Sequence, residues 1–247
     1  WFAIAGVLVA TLSLLSLLSL ETTSILYDTF RLDSFAKAFK LILMIGSLLV
    51  LLLAESYRPK KGLEETRGEF YYLFLTALLG AMVMTSSGDL ITMFIGLELL
   101  SISSYILAGI RKRNLQSNEA AMKYVINGSI ATAITLFGMS YLYGLTGSTN
   151  LKEMGSIMDQ LLNGQFQYLF GIAFFMMLVG FSFKIASAPF HMWAPDVYQG
   201  APTPVTAFLS VVSKTAGFII ILRMIIFLYV EAPGDAVGAF DFMEINN

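Results

Sequence analysis

Cysteine is absent from the 247 residues, and histidine occurs once, at position 191. Without thiolates the chain offers no disulfide, no cysteine-bound zinc and no cysteine-held iron–sulfur cluster, and one imidazole cannot grip a haem from both sides. Cysteine usage therefore carries no reading of the redox compartment. Charge is also scarce: 13% of residues are charged and 57% apolar, with a mean hydropathy of +0.74. A soluble domain carries about 25% charged and about 45–50% apolar residues. These values exclude an ordinary soluble domain and define a chain that crosses a membrane several times. The net charge of −2 gives no footprint for nucleic acid. Proline is rare too, yet four of the six, Pro189, Pro195, Pro202 and Pro204, fall in FKIASAPFHMWAPDVYQGAPTP.

What the chain does have is long apolar runs. Spanning about 30 Å of hydrocarbon takes roughly 20 apolar residues, and backbone groups in lipid must bond within their own helix. Seven runs qualify: 2–20, 35–54, 69–87, 89–110, 118–145, 167–190 and 203–229. The first lacks the basic leader and small-residue cleavage site of a secretory signal, so it reads as a membrane helix. The loop after the second run carries Arg58, Lys60, Lys61 and Arg67, and the loop after the fourth carries Arg111, Lys112 and Arg113. The opposite side offers Arg31, Lys37, Lys40 and Lys152, so the positive-inside rule places the first two loops in the cytoplasm. The sequence opens on Trp1 and finishes in FDFMEINN, from which a fragment of a longer chain is expected. No internal repeat or low-complexity tract is evident.

A charge at mid-membrane costs about 2.5–3.5 kcal/mol or more and marks a candidate functional site. Glu98 lies in the middle of the fourth run, and Ser101 and Tyr105 share its helical face, a polar stripe expected to face the bundle interior. Lys184 lies deep in the sixth run, just before Pro189. That proline is expected to free the carbonyl of Ile185 and break the helix, the way transporters build ion sites at depth. A lysine snorkelling past an ordinary proline cap is the plainer alternative. The later prolines favour a re-entrant or unwound link. Lys214, in SVVSKTAG, is central in the seventh run, with Ser210 and Gly217 on its face. Lys123 stands near the start of the fifth run, with Asn127 one turn on, where snorkelling and a site role are balanced. Arg223 reads as an interfacial anchor, and His191 and Asp196 as capping or packing residues at least as readily as proton carriers. The Asn127-Gly128-Ser129 glycan pattern is discarded because it lies within a span. The aromatic residues and methionines read as packing or lipid-facing.

One buried carboxylate with two or three buried lysines suits a proton relay. Desolvation favours a neutral lysine and a nearby carboxylate favours a charged one, so a small movement of the partner can load or release a proton. Lysine can change charge in such a setting, whereas arginine stays protonated. From the residues alone, the chain is a helical bundle that moves protons or another small cation, with no indication of the energy source.

KIASAPFHMWAPDVYQGAPTPVTAFLSVVSKTAGF (184–218), GDLITMFIGLELLSISSYILAG (88–109) and EAAMKYVINGSIATAITLFGMSYLYGLTGST (119–149) resemble the antiporter-like subunits of respiratory complex I, specifically its subunit N family. Mrp-type sodium/proton antiporters share the K-x-x-x-x-P-x-x-x-W-x-P skeleton and supply the alternative reading. The resemblance implies an all-α bundle of about seven helices with at least one broken. It makes 1–54 two leading helices, 69–229 the first five-helix repeat of an inverted pair, and 230–247 a loop within one transmembrane domain, 1–247. A second repeat with its own lysine would lie outside this sequence. The resemblance also implies that Glu98 pairs with Lys184, that Lys214 passes the proton inward, and that Lys123 supports the charge chain. Flavin (FMN), iron–sulfur clusters, NADH and quinone are implied to belong to other subunits, so no cofactor is expected in this chain. The implied partners are the other membrane subunits of complex I, the lipid bilayer and protons. The expected location is a bacterial plasma membrane, with thylakoid and mitochondrial inner membranes as further hosts.

Overall fold

A computed structural model describes residues 1–57, 66–162 and 164–230. Arg58, Lys60 and Lys61 of the first basic loop, and most of the expected 230–247 loop, lie outside them. Among the described residues, six helices or helical runs are long and apolar enough to cross a membrane. The expected all-α transmembrane bundle is what is found, with one difference at the start. The first helix, α1 (Phe2–Ser16), has 15 residues. At 1.5 Å per residue it reaches only about 22 Å, short of the hydrocarbon thickness. The polar Ser16, Ser19 and Glu21 end the apolar stripe early. A short hairpin, β1 (Thr23–Ile25) with β2 (Phe30–Leu32), comes next and leads into α2 (Ser34–Ser56).

Three of the spanning helices, α2 and the two introduced next, start at side-chain caps, because the first backbone N–H groups of a helix need acceptors. Asp33 accepts from Ala36 N at 2.7 Å to start α2. Asp89 accepts from Ile91 N and Thr92 N to start α4 (Leu90–Ala108). Asn114 accepts from Ser117 N to start α5 (Leu115–Thr146), whose far end closes on Gly147 at φ 72°. Between α2 and α4 runs α3 (Arg67–Thr85). Gly80 and Gly96 face each other across the α3–α4 contact: a Cβ on Gly96 would stand 2.7 Å from Met84 N, and one on Gly80 would stand 2.5 Å from Leu100 N. Small residues allow such close backbone approach, which drives helix association where lipid is as apolar as leucine.

After α5 come two short helices, α6 (Leu151–Ser156) and α7 (Met158–Leu162), then α8 (Gln167–Ile185), which packs along α5. The chain turns through 186–192, forms α9 (Trp193–Gly200), and enters the last span: α10 (Thr203–Phe208), a π-helical segment (Leu209–Ser213), α11 (Lys214–Ile225) and a second π segment (Ile226–Val230).

The prolines act differently from the sequence-based expectation. α8 stops at Ile185, four residues before Pro189, on Ala186 in the left-handed conformation (φ 55°). Ala186 N bonds Phe183 O and Ser187 N bonds Ser182 O, a Schellman closure that satisfies the last carbonyls. Pro189 therefore sits outside the helix and frees no carbonyl within it. Pro195 falls in the first turn of α9, and Pro202 and Pro204 flank the start of α10, where a missing N–H is harmless. The link is a capped helix end and a short helix, with a fresh helix start beyond them.

Candidate functional site

Lys184 is the last-turn lysine of α8 and is 2% exposed. Its Nζ donates to Ser101 Oγ at 3.1 Å, and Ser101 in turn donates to Leu97 O at 2.7 Å. Ser101 stands one turn after Glu98 on α4, so the polar stripe and the lysine meet. Glu98 is partly buried, and its Oε1 accepts from Thr132 Oγ1 of α5 at 2.9 Å. Among the described residues no carboxylate forms an ion pair with Lys184. Glu98 acts on it by charge without touching it. The pairing implied by the family resemblance is thus a near approach in this conformation, with a serine on the lysine and a threonine on the glutamate. Between them lies a cavity of about 10 Å³ lined by Ser101, Tyr105, Thr132, Thr135, Phe183 and Lys184. That is room for about one water.

Lys214 begins α11 immediately after the π segment. Its Nζ lies 5.5 Å from the centre of the Tyr198 ring, a cation–π placement. Gly217, one turn further, is where α11 meets α8: a Cβ there would stand 3.3 Å from Lys184 Cγ and 2.7 Å from Ile185 Cγ2. The absence of a side chain at 217 lets the Lys184 stem pass, and the two lysines sit on facing helices about one turn apart. The π segment is a feature the sequence did not disclose. Such bulges are frequent at functional sites.

Lys123 is not joined to this group. It is half-exposed on α5 and holds Glu119 at 2.7 Å and Asp196 at 2.6 Å. Asp196, read from the sequence as a cap or packing residue, is the lysine's partner across α5 and α9. Arg223 differs from its expected role as an interfacial anchor. It is 1% exposed, donates Nε to Ser87 O at 2.6 Å, and pairs through Nη1 with Asp33 at 3.0 Å. Phe35 and Phe227 face its guanidinium. It ties α11 to the start of α2 and to the turn between α3 and α4.

Around Phe183, the neighbour of Lys184, lies an aromatic cluster that sequence reasoning assigned to general packing. Tyr124 of α5 stacks on Trp193 with ring centres 4.4 Å apart, meets Tyr105 edge-on at 4.6 Å, and approaches Phe183 at 6.1 Å. Trp193 Nε1 donates to Phe183 O at 3.1 Å, holding α9 against the end of α8. No local sequence signal could have found Thr132, Tyr124 or Tyr198, whose partners come from distant helices. Among the described residues no group of three His, Cys, Asp or Glu is placed to hold a metal ion.

A buried lysine, Lys184, and a partly exposed one, Lys214, beside a π-interrupted span, with polar partners supplied by neighbouring helices, define a transmembrane bundle of the kind that handles ions at depth. The comparisons make the class specific. Residues 87–236 match the family described as NADH:quinone oxidoreductase/Mrp antiporter, TM, and the chain belongs to that family. It is 66% identical over 94% of its length to NADH-quinone oxidoreductase subunit N of Geobacillus sp. (strain WCH70), and covers 47% of that relative. A solved chain of respiratory complex I from Thermus thermophilus with bound aureothin matches 90% of it at 35% identity and a TM-score of 0.74, with 46% of that chain covered. A chain of the Mrp complex from Dietzia sp. DQ12-45-1b, at 18% identity and a TM-score of 0.74, shares the fold. The chain spans about half the length of the curated relatives it matches.

Proposed function

We propose that this chain is the proton-handling half of an antiporter-like subunit of NADH:quinone oxidoreductase, the subunit N type, in a bacterial plasma membrane. The observation that carries the reading is Lys184: a buried amine at a helix end, bonded among the described residues to Ser101 alone, with the Glu98 carboxylate near but held aside by Thr132. Approach of the carboxylate favours the ammonium, and its withdrawal favours the neutral amine. A movement that swings Glu98 between Thr132 and Lys184 therefore loads and unloads a proton at Nζ. Lys214, one helical turn away across Gly217, receives it. Lys123, with Glu119 and Asp196, is a second charged group on the outer face of α5, supporting the charge chain through neighbouring parts of the membrane arm.

In this reading the electron carriers, FMN and iron–sulfur clusters, and the sites for NADH and quinone belong to other subunits of the complex. This chain supplies side chains that hold and move a proton. The identity of 66% to a subunit N, against a likeness to an Mrp complex in fold alone, supports the complex I assignment over a free-standing sodium/proton antiporter. The test is Lys184→Ala in the full-length subunit within the intact complex, reconstituted in vesicles, with protons moved per NADH oxidised as the readout. The ratio should fall while electron transfer to an artificial acceptor persists. An unchanged ratio removes the lysine from proton transfer and the proposal with it.

A further inference from the structure

Two hydroxyls of the aromatic cluster stand buried with nothing to bond among the described residues. Tyr124 is fully buried, and its hydroxyl has no hydrogen-bond partner among the described residues; the hydroxyl of Tyr198 is likewise buried and unpartnered. Leaving a buried hydroxyl unsatisfied costs about 1–3 kcal/mol. A core that needed only ring packing could use phenylalanine at either place at less cost. Both positions instead carry a group able to donate and accept a proton.

Their placement gives the hydroxyls a use. On one side Tyr124 touches Tyr105 and Phe183, two of the residues that wall the Lys184 cavity. On the other it faces Ser213, the residue before Lys214, which is close enough to act on it though the pair does not close a hydrogen bond. Tyr198 continues the same direction: its ring stands edge-on to Trp193 at 6.1 Å and lies 5.5 Å from Lys214 Nζ. Tyr124 is held by Trp193, Tyr105 and Phe183, so its hydroxyl is fixed in place while its O–H bond remains free to rotate. The chain thus sets a hydroxyl ladder, Ser101–Tyr105–Tyr124–Ser213/Tyr198, between the two amines.

We propose that the hydroxyls of Tyr124 and Tyr198 are the proton relay that connects the Lys184 cavity to Lys214. The step is a concerted shuttle through water molecules that enter the gaps. The Lys184 ammonium releases one proton to the water beside it, and Tyr124 accepts a proton on its oxygen as it gives up its own. Tyr198 repeats the exchange, and the neutral Lys214 amine takes the last proton. Each hydroxyl ends with the proton count it began with, Lys184 is left neutral and Lys214 charged. Concert is required, because a free phenolate in this apolar setting is strongly disfavoured.

This inference rests on the proton-transfer reading of Lys184, and one experiment separates the two. Tyr124→Phe, Tyr198→Phe and Lys184→Ala are placed singly in the full-length subunit of the intact complex, and protons per NADH are measured in vesicles in H₂O and D₂O. Tyr124→Phe keeps the ring and its stacking, so assembly and electron transfer to an artificial acceptor should match the parent. The proton ratio should fall to that of Lys184→Ala, and Tyr198→Phe should lower it at least halfway, although its ring still faces Lys214. The parent should show a solvent isotope effect on the pumping rate that these variants lose. A full proton ratio in Tyr124→Phe alongside a lowered one in Lys184→Ala overturns the relay and leaves the function standing. A full ratio in Lys184→Ala overturns both. Should Tyr124→Phe fail to assemble, a full ratio in Tyr198→Phe overturns the relay, and a lowered one upholds it.

Discussion

Asp33→Asn isolates the cost of stranding a buried cation. Asp33 meets two demands: its carboxylate accepts from Ala36 N at the start of α2 and pairs with Arg223 Nη1 at 3.0 Å. Asparagine keeps a capping oxygen and loses the charge. Arg223, 1% exposed, would retain the Ser87 carbonyl and two aromatic faces at 5.1 and 5.6 Å, while its Nη2 already lacks a partner among the described residues. Breaking a buried ion pair from one side costs about 3–5 kcal/mol. The Asp33 side chain is 24% exposed, so water offsets part of the loss and the lower figure, about 3 kcal/mol, is expected. Asp33→Ala also removes the cap, worth about 1 kcal/mol more. Arg223→Met combined with Asp33→Asn leaves no orphaned charge, so the pair should be less than additive by about 1–3 kcal/mol. The assay is detergent-titrated unfolding of the full-length subunit in bicelles, read by tryptophan fluorescence, with all variants at one pH and salt. Equal stability of Asp33→Asn and the parent, or strict additivity in the double variant, would show that the pair holds nothing together and refute the argument.

The geometry yields three further outcomes. Gly96→Leu sets a Cβ 2.7 Å from Met84 N, a backbone atom that cannot rotate away, so α3 and α4 must separate; a loss of about 1–3 kcal/mol in the same unfolding assay is expected, and a neutral result would contradict the close packing. Thr132→Val removes the donor that holds Glu98; a hydrogen bond to a charged group is worth about 1.5–3 kcal/mol, or about ten- to a hundred-fold in how often the carboxylate is held aside, so the pH profile of pumping should shift and Thr132→Ser should restore it. In the β1–β2 turn, outside the spans, the hydrogen bond from Arg31, opposed by burial and helped by its charge, holds the Asp28 carboxyl below its usual 3.8. A depressed carboxyl stabilises the fold above the unfolded value and loses that contribution as pH falls below about 3.8, so Asp28→Asn should lower stability slightly at pH 7 to 8 and match the parent in acid, flattening the acid limb of the stability profile.

The bundle was legible because lipid imposes a simple rule: runs of apolar residues of fixed length must be helices. α2 through α5 fall within a few residues of the expected runs, and Asp33, Asp89 and Asn114 mark the starts of α2, α4 and α5. Glu98, Lys184 and Lys214 stood out for the same reason, since charge is conspicuous where it is expensive. What the sequence concealed is set by tertiary contact. Thr132 is 34 residues from Glu98, and Asp196 is 73 from Lys123. Arg223 reads as a boundary residue by position, but 190 residues away Asp33 makes it internal. Pro189 looked like a break within the span because composition alone cannot show that α8 has already closed on Ala186. The π segment has no composition of its own.

That segment preserves the bearing of an amine. Each residue of an ordinary helix turns the chain by about 100°, and the wide turn at Leu209–Ser213 absorbs one residue beyond that rhythm before Lys214. Excising a single lipid-facing position there, such as Val211, would preserve hydropathy and span length. Because the wide turn already absorbs the surplus residue, the shortened segment would close into an ordinary helix with Lys214 still beside Tyr198, whereas the same excision within α11 would turn every later side chain by about 100°.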